Sequence, residues 1–432
     1  MTSFWLEHAA VDGAIRAGVR VEEKDGLITA IADGPVQPDD VELPGLTLPG
    51  IANGHSHAFH RALRGRTHAQ GGDFWAWREQ MYAAAARLDP ETYHSLATAF
   101  YAELLLAGYT AVGEFHYLHR DPTTVMADAV IAAARDVGIR LTLLDTLYRH
   151  GGRDADGVAQ PPSAAQRPFI SSVSVWMARH QSLELHGTAR RGAAIHSLRA
   201  VDPTDVERIV VATGDEPLHA HVSEQPAENA QVEAAFGRSP VAVLRDAGAL
   251  GPRFTAVHAT HLSSDDIADL AGSFVCICPT TERDLGDGIG PAQALHQAGA
   301  HLTIGSDQHV VVDPFDELRA LEGHERLATG RRGIFSPTEL LAAATTDGYR
   351  SLGWRGGLVV GAVCDLVAVR TGSPRTAGAA LDQLWLAASA ADVMDVVVGG
   401  ERVVTAGAHR LGDVGAALAT AIPTAVIGAV LP

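Results

Sequence analysis

The stretch Leu46–His57, LTLPGIANGHSH, marks the point where the texture of this chain changes. Before it, short alternating runs are separated by turns. After it, apolar runs alternate with helical stretches, the pattern of βα units feeding a parallel sheet. Eight such runs can be counted: LTLPGI from Leu46, TAVGEF from Thr110, IRLTLLDT from Ile139, GAAIHS from Gly192, PLHAHV from Pro217, FTAVHA from Phe254, FVCICP from Phe274 and HLTIGS from His301. Helical segments lie between them, such as PETYHSLATAFYAELLLAG from Pro90 and DPTTVMADAVIAAARDVG from Asp121. In the second, Asp121 is expected as N-cap, Pro122 at the first helical position and Gly138 at the end. Eight strand–helix units predict an α/β chain with a (β/α)8 TIM-like barrel, whose active site gathers at the C-terminal ends of the strands.

Outward from the barrel, both ends of the chain read as β-structure. VRVEEKDGLITAIADG carries the Asp25-Gly26 turn between alternating runs, and MDVVVGGERVVTAGAHR carries Gly399-Gly400 between valine-rich runs. Both are hairpin signals. The expected organisation is a small composite β-sandwich from residues 1–47 and 358–432, enclosing a barrel over 48–357. The stretch Tyr148–Arg167, rich in Gly and Pro, reads as a long loop on the active-site side and a candidate lid.

The 432 residues are 47% hydrophobic and 19% charged, ample for a packed core and unlike a disordered chain. The formal charge of −18 opposes phosphate backbones and anionic membranes, so neither nucleic acid nor membrane is an expected partner. Three cysteines rule out a disulfide scaffold, and the start MTSFWLEHAAVDG has neither a basic nor an apolar leader region. The cytoplasm is the expected compartment. A homodimer is the default expectation for assembly.

Chemistry-bearing residues recur at the ends of the apolar runs. The first ends in Gly54-His55-Ser56-His57, and two His at i, i+2 of an extended segment point to one side. The fifth contains His221, followed three residues on by Glu224. The sixth ends with His258 and the eighth with Asp307. Imidazoles plus a carboxylate suit a borderline divalent ion such as zinc, while iron and manganese accept the same donors. Each residue alone has an ordinary reading: His219, two before His221, can be a core histidine, an Asp at a strand end can be a helix cap, and Glu224 can be an exposed helix-start carboxylate. Their conjunction at one end of separate strands points to a metal site. Cys276 and Cys278 read as small core residues.

This pattern resembles the amidohydrolase superfamily, which pairs such a barrel with a composite β-sandwich. The resemblance implies that His55, His57, His221 and Asp307 are metal ligands, that Glu224 is the acid/base of the deaminase branch, and that His258 is a catalytic residue beside the metal. Some branches bridge two metals with a carboxylated lysine in the barrel. Here the only lysine, Lys24, lies outside it, so one divalent ion is expected. The implied chemistry is hydrolytic: the ion lowers the pKa of water toward ~7, Glu224 moves the proton to a departing nitrogen, His258 polarises the attacked group, and Asp307 both ligates and steers the water.

Further stretches resemble the formimidoylglutamate deiminase family: NGHSHAFHRAL from Asn53, FWAWREQMY from Phe74, AGYTAVGEFHYLH from Ala107, HSLRAV from His196, HAHVSEQ from His219, VHATH from Val257, LGDGI from Leu285 and IGSDQHV from Ile304. That resemblance implies a dicarboxylate substrate, N-formimino-L-glutamate, converted to N-formyl-L-glutamate and ammonia in histidine degradation. It assigns substrate contacts to Arg78, Tyr117, His196 and Arg199, and guanidinium forks bind carboxylates bidentately. There are departures: the family has Gln where this chain has His60, Ser where it has Gln308, and Asn where it has Asp284. The alternatives are a nucleobase-type heterocycle deaminase of the same superfamily, whose pocket would carry few arginines, and a barrel that has lost catalysis, which would have lost ligands.

Overall fold

The computed structural model describes residues 2–67, 74–120, 122–185 and 187–426. Among these described residues, sixteen strands form two eight-stranded sheets. At the N-terminus lie β1 (Thr2–Val11), β2 (Ala14–Lys24), β3 (Leu27–Asp33) and β4 (Val41–Pro49). The barrel follows with β5 (Ile51–Ser56), β6 (Tyr109–His116), β7 (Arg140–Leu147), β8 (Ala189–Ile195), β9 (Leu218–Val222), β10 (Phe254–His258), β11 (Phe274–Ile277) and β12 (His301–Ile304). The chain ends with β13 (Leu366–Val369), β14 (Val393–Val398), β15 (Glu401–Thr405) and β16 (Ala408–His409).

Strands β5 to β12 pair in parallel, each with its sequence neighbour. A bridge between Ser56 and Asp307 brings the last strand back to the first. Helices cover the outside, so these strands are buried on both faces and read as nearly continuous apolar runs. The helix Pro90–Ala107 shows why the local sequence folds as it does. Asp89 accepts from the Thr92 amide in a capping box, Pro90 opens the helix, and Gly108 closes it at φ 101°. The next helix begins later than expected, at Val125 behind Thr124, and not at Pro122; Asp121 lies outside the described residues.

The two chain ends build one sheet in the order β16-β15-β14-β13-β4-β1-β2-β3, with a hydrophobic core of its own around Phe4, Leu6, Val19, Leu43 and Val397. Both predicted hairpins form, with Asp25 and Gly26 at φ 55° and 80°, and Gly399 and Gly400 at 57° and 80°. One expected strand divides. Leu46–Pro49 of LTLPGI pairs with β1 and β13 in the terminal sheet, and the barrel starts only at Ile51. Gly50 is the crossing point: its amide donates to the Asp365 carbonyl at 2.7 Å, and an added Cβ would meet the Tyr349 hydroxyl at 2.4 Å. No helix among the described residues is long and apolar enough to cross a membrane.

Candidate metal centre and substrate cavity

The strand ends aim their side chains into one cavity of about 240 Å³. The backbone turns left-handed at Ser223 (φ 53°), His258 (φ 69°) and Asp307 (φ 40°), just where β9, β10 and β12 finish. Non-glycine residues adopt this region only when their surroundings over-determine it.

His55 and His57 do share a side of β5. Their Nε2 atoms lie 3.3 and 3.4 Å from Asp307 Oδ1, and His55 Nε2 lies 3.1 Å from His221 Nε2. Donor atoms of His55, His57 and Asp307 fall within 4.8 Å of one another, as do those of His55, His221 and His258. Outer contacts prepare these rings. His57 Nδ1–H donates to the Phe115 carbonyl at 3.0 Å, and His221 Nδ1–H to the His196 carbonyl at 2.9 Å. A proton held on Nδ1 leaves the Nε2 lone pair free for an ion. Burial holds all three imidazoles well below their ordinary pKa, hence neutral. Burial also pushes the Asp307 carboxyl up to about 7, with Glu224 and Glu282 adding to it and His258 opposing. Lone pairs of neutral imidazoles crowded at 3.1 Å, beside a carboxylate whose charge is costly, are the situation a shared cation relieves. The residues present therefore fit a divalent ion.

His258 stands next to this cluster. Its Nε2 lies 3.8 Å from Asp307 Oδ2 and 4.0 Å from Glu224 Oε1, and its Nδ1 is 3.4 Å from Glu282 Oε1. Burial opposes the imidazolium, yet the carboxylates of Glu224, Glu282 and Asp307 together raise its pKa well above the ordinary value. Glu224, at the start of the loop leading to the helix Pro226–Phe236, lines the same cavity.

The rest of the lining is cationic and aromatic. Arg78, Tyr117, His196 and Arg199, the expected substrate contacts, all line the cavity. Arg78 Nε donates to the Tyr82 hydroxyl at 2.6 Å. Arg199 Nε is buried with no hydrogen-bond partner among the described residues, a donor left for a ligand. His196 stacks on Tyr148 at 4.1 Å, and burial, with Arg199 and Arg78 adding to it, holds its ring neutral. The stretch Tyr148–Arg167 forms a fastened wall of the cavity. Arg153 pairs with Asp202, His150 with Asp202 at 2.8 Å and Arg149 with Asp205 at 2.9 Å, while Gly151 and Gln160 join across the stretch.

The remaining expectations resolve simply. His219 is a core residue bonded to the Ser351 carbonyl at 3.0 Å. Cys276 and Cys278 pack with Val257. His60, pushed down to about 3 by burial, is a neutral partner for the Tyr117 hydroxyl at 2.9 Å. The departures Gln308 and Asp284 bond each other at 2.8 Å. Sequence reasoning missed Glu282, Tyr82 and Tyr148, which reach the site from a short helix, from one turn past Arg78 and from the end of β7. It also missed Glu114, which clamps the H-x-H segment through the Ala58 amide at 2.7 Å and the Ser56 hydroxyl at 3.1 Å. Only Glu114 carried a signal, as an acidic residue inside an otherwise apolar strand.

A sequence profile described as "Amidohydrolase family" matches residues 46–403. The chain is 36% identical to formimidoylglutamate deiminase of Pseudomonas aeruginosa, covering 95% of this chain and 96% of that one. Among solved structures, an amidohydrolase from Brucella melitensis superposes with a TM-score of 0.91 at 33% identity, over 99% of this chain and all of that one. An adenosine deaminase from Xanthomonas campestris with bound zinc superposes with a TM-score of 0.85 at 25% identity, covering 98% and 97%.

Proposed function

Because the chain belongs to the amidohydrolase family, we propose that it hydrolyses N-formimino-L-glutamate to N-formyl-L-glutamate and ammonia, a step of histidine degradation. The coarser statement, a hydrolase of C–N bonds related to deaminases, follows from family membership itself. The observation that carries the finer one is the polarity of the cavity. Metal-type donors and Glu224 line the cavity together with the guanidinium groups of Arg78 and Arg199, the Nε of Arg199 being buried without a partner among the described residues. A small acyclic substrate with an amidine at one end and carboxylates at the other matches both sets of residues. At about 240 Å³ the cavity also lies below the ~300–1,000 Å³ typical of drug-sized ligands.

His55, His57, His221 and Asp307 would hold one divalent ion, with zinc as our choice. When bound, it supplies Lewis acidity that brings the pKa of water toward ~7. Glu224 takes the proton of the attacking water and returns it to the departing nitrogen. His258 donates through Nε2 toward the amidine nitrogen as the carbon becomes tetrahedral. Arg78 and Arg199 hold the carboxylates, with the Tyr117 hydroxyl and His196 beside them. The balance is one water in, one N-formyl-L-glutamate and one ammonia out: a C–O bond forms and the C–N bond to the terminal nitrogen breaks.

The test is ammonia release from N-formimino-L-glutamate by the zinc-loaded enzyme, compared with N-formimino-L-aspartate, guanine, cytosine and adenosine. Faster turnover of any heterocycle would overturn the substrate assignment and favour the nucleobase-type reading.

A further inference from the structure

The end of β10 poses a problem that strand geometry does not solve. Both His258 (φ 69°) and Ala259 (φ 52°) lie in the left-handed region, so the alternation of a regular strand does not set the direction of the His258 ring. Something else must aim it. Three carboxylates surround the ring: Glu224 and Asp307 on the Nε2 side, at 4.0 and 3.8 Å, and Glu282 on the Nδ1 side at 3.4 Å. Glu224 and Asp307 border the cavity, whereas Glu282 stands behind the ring, 2% exposed and away from the cavity.

Glu282 is itself held in place. It sits on the short helix Pro279–Leu285, where its amide donates to the Cys278 carbonyl at 2.9 Å and its Oε1 accepts from the Cys278 amide at 2.8 Å. This reciprocal loop fixes the carboxylate before it meets the imidazole. An oxygen already accepting one N–H meets the ring as an acceptor, so His258 Nδ1 carries an N–H toward Glu282 and Nε2 is turned toward the cavity.

We propose that Glu282 is a positioning residue that acts through His258, holding Nδ1–H by the reach of its carboxylate so that Nε2 faces the reacting nitrogen. This rests on the assignment of His258 to a hydrolytic deamination. Outer partners of metal-ligating histidines cost ~10–100-fold in affinity or activity when removed, and the same scale is expected for this histidine beside the metal site.

Two conservative variants separate reach from charge. Glu282→Gln keeps the length and an acceptor oxygen but loses the charge. Glu282→Asp keeps the charge but withdraws the oxygen by one methylene. In the zinc-loaded enzyme we expect Gln to retain kcat within ~3-fold and Asp to lose ~10-fold or more, in line with the loss of an outer-shell partner. KM and metal content should stay at wild-type values in both. In the same zinc-loaded proteins, ¹⁵N spectra of the histidine rings should show His258 Nδ1–H hydrogen-bonded in wild type and Gln, and released from that bond in Asp. An Asp variant as active as Gln, a loss that follows metal content or KM, or unchanged ring spectra in Asp would each overturn the proposal. Should the wild type release no ammonia from N-formimino-L-glutamate, the substrate assignment falls alone. The same variants are then compared on whichever amidine or heterocycle the enzyme does turn over.

Discussion

Arg199 lines a cavity that a cluster of ligand-type side chains also borders. A charge-assisted hydrogen bond to a carboxylate is worth about 1.5–3 kcal/mol, or ~10–150-fold in binding. Arg199→Met should therefore raise KM by that factor and leave metal content unchanged. His221→Ala should lose the metal, because it removes the Nε2 that faces His55 at 3.1 Å. Steady-state kinetics and elemental analysis of both variants check this; equal metal loss in the two would cancel the distinction between rim and ligand. Glu224→Gln, which cannot move a proton, should lower kcat by ~10²–10⁴-fold with little change in KM. The ligand-type residues were legible because strand periodicity dictates where i, i+2 imidazoles point. Glu282 was not, because no periodic pattern links a short helix to a histidine 24 positions earlier.

Elements, in turn, are fastened to one another by buried ion pairs. The helix Val173–Ser182 is anchored to β7 by Arg179, whose Nη2 and Nε donate to Asp145 Oδ1 at 2.8 and 3.1 Å, with both side chains at most 2% exposed. Arg179→Met would strand a carboxylate in the interior and should cost about 3–5 kcal/mol, read by urea unfolding. Burial works against the Asp145 charge, yet Arg179, His180 and His119 hold its pKa well below the usual carboxylate range. A folded-state value below the unfolded one means that this stabilisation is complete above the ordinary Asp pKa and drains away as the pH falls below it. The cavity wall of Tyr148–Arg167 depends on a different constraint. Gly157 has φ 80°, and a Cβ there would sit 2.3 Å from the Ala235 amide. Gly157→Ala should push the wall off the helix Pro226–Phe236 and raise KM more than it lowers kcat. Hairpins and caps were readable here because glycine and Asp/Ser/Thr declare them. The division of LTLPGI was not, since an apolar run carries no mark of which sheet will claim it.

Across the whole molecule, the barrel and the terminal sheet meet at Arg140 and Asp365. Two hydrogen bonds of 2.8 Å join them, and the Tyr349 hydroxyl and the Gly399 amide also donate to Asp365 at 2.6 and 2.7 Å. Metal removal should act at this scale as well. An ion that binds only the folded chain stabilises it by mass action, about 2.7 kcal/mol when present at 100 times its Kd. Chelation should lower the melting temperature and abolish turnover together, and zinc should restore both; a melting temperature indifferent to the metal would contradict the four-ligand site. That both termini share one sheet was legible from their β-rich texture. The pairing order was not, because strand order is a property of packing at long range. It has a consequence for biosynthesis. On the ribosome, β4 emerges early, but its partner β13 begins more than 300 residues later. At 5–20 residues per second, the edge of β4 waits roughly 15–60 s for its mate. Through that interval the nascent chain carries an open strand edge, and its fate depends on shielding by chaperones as much as on its own sequence.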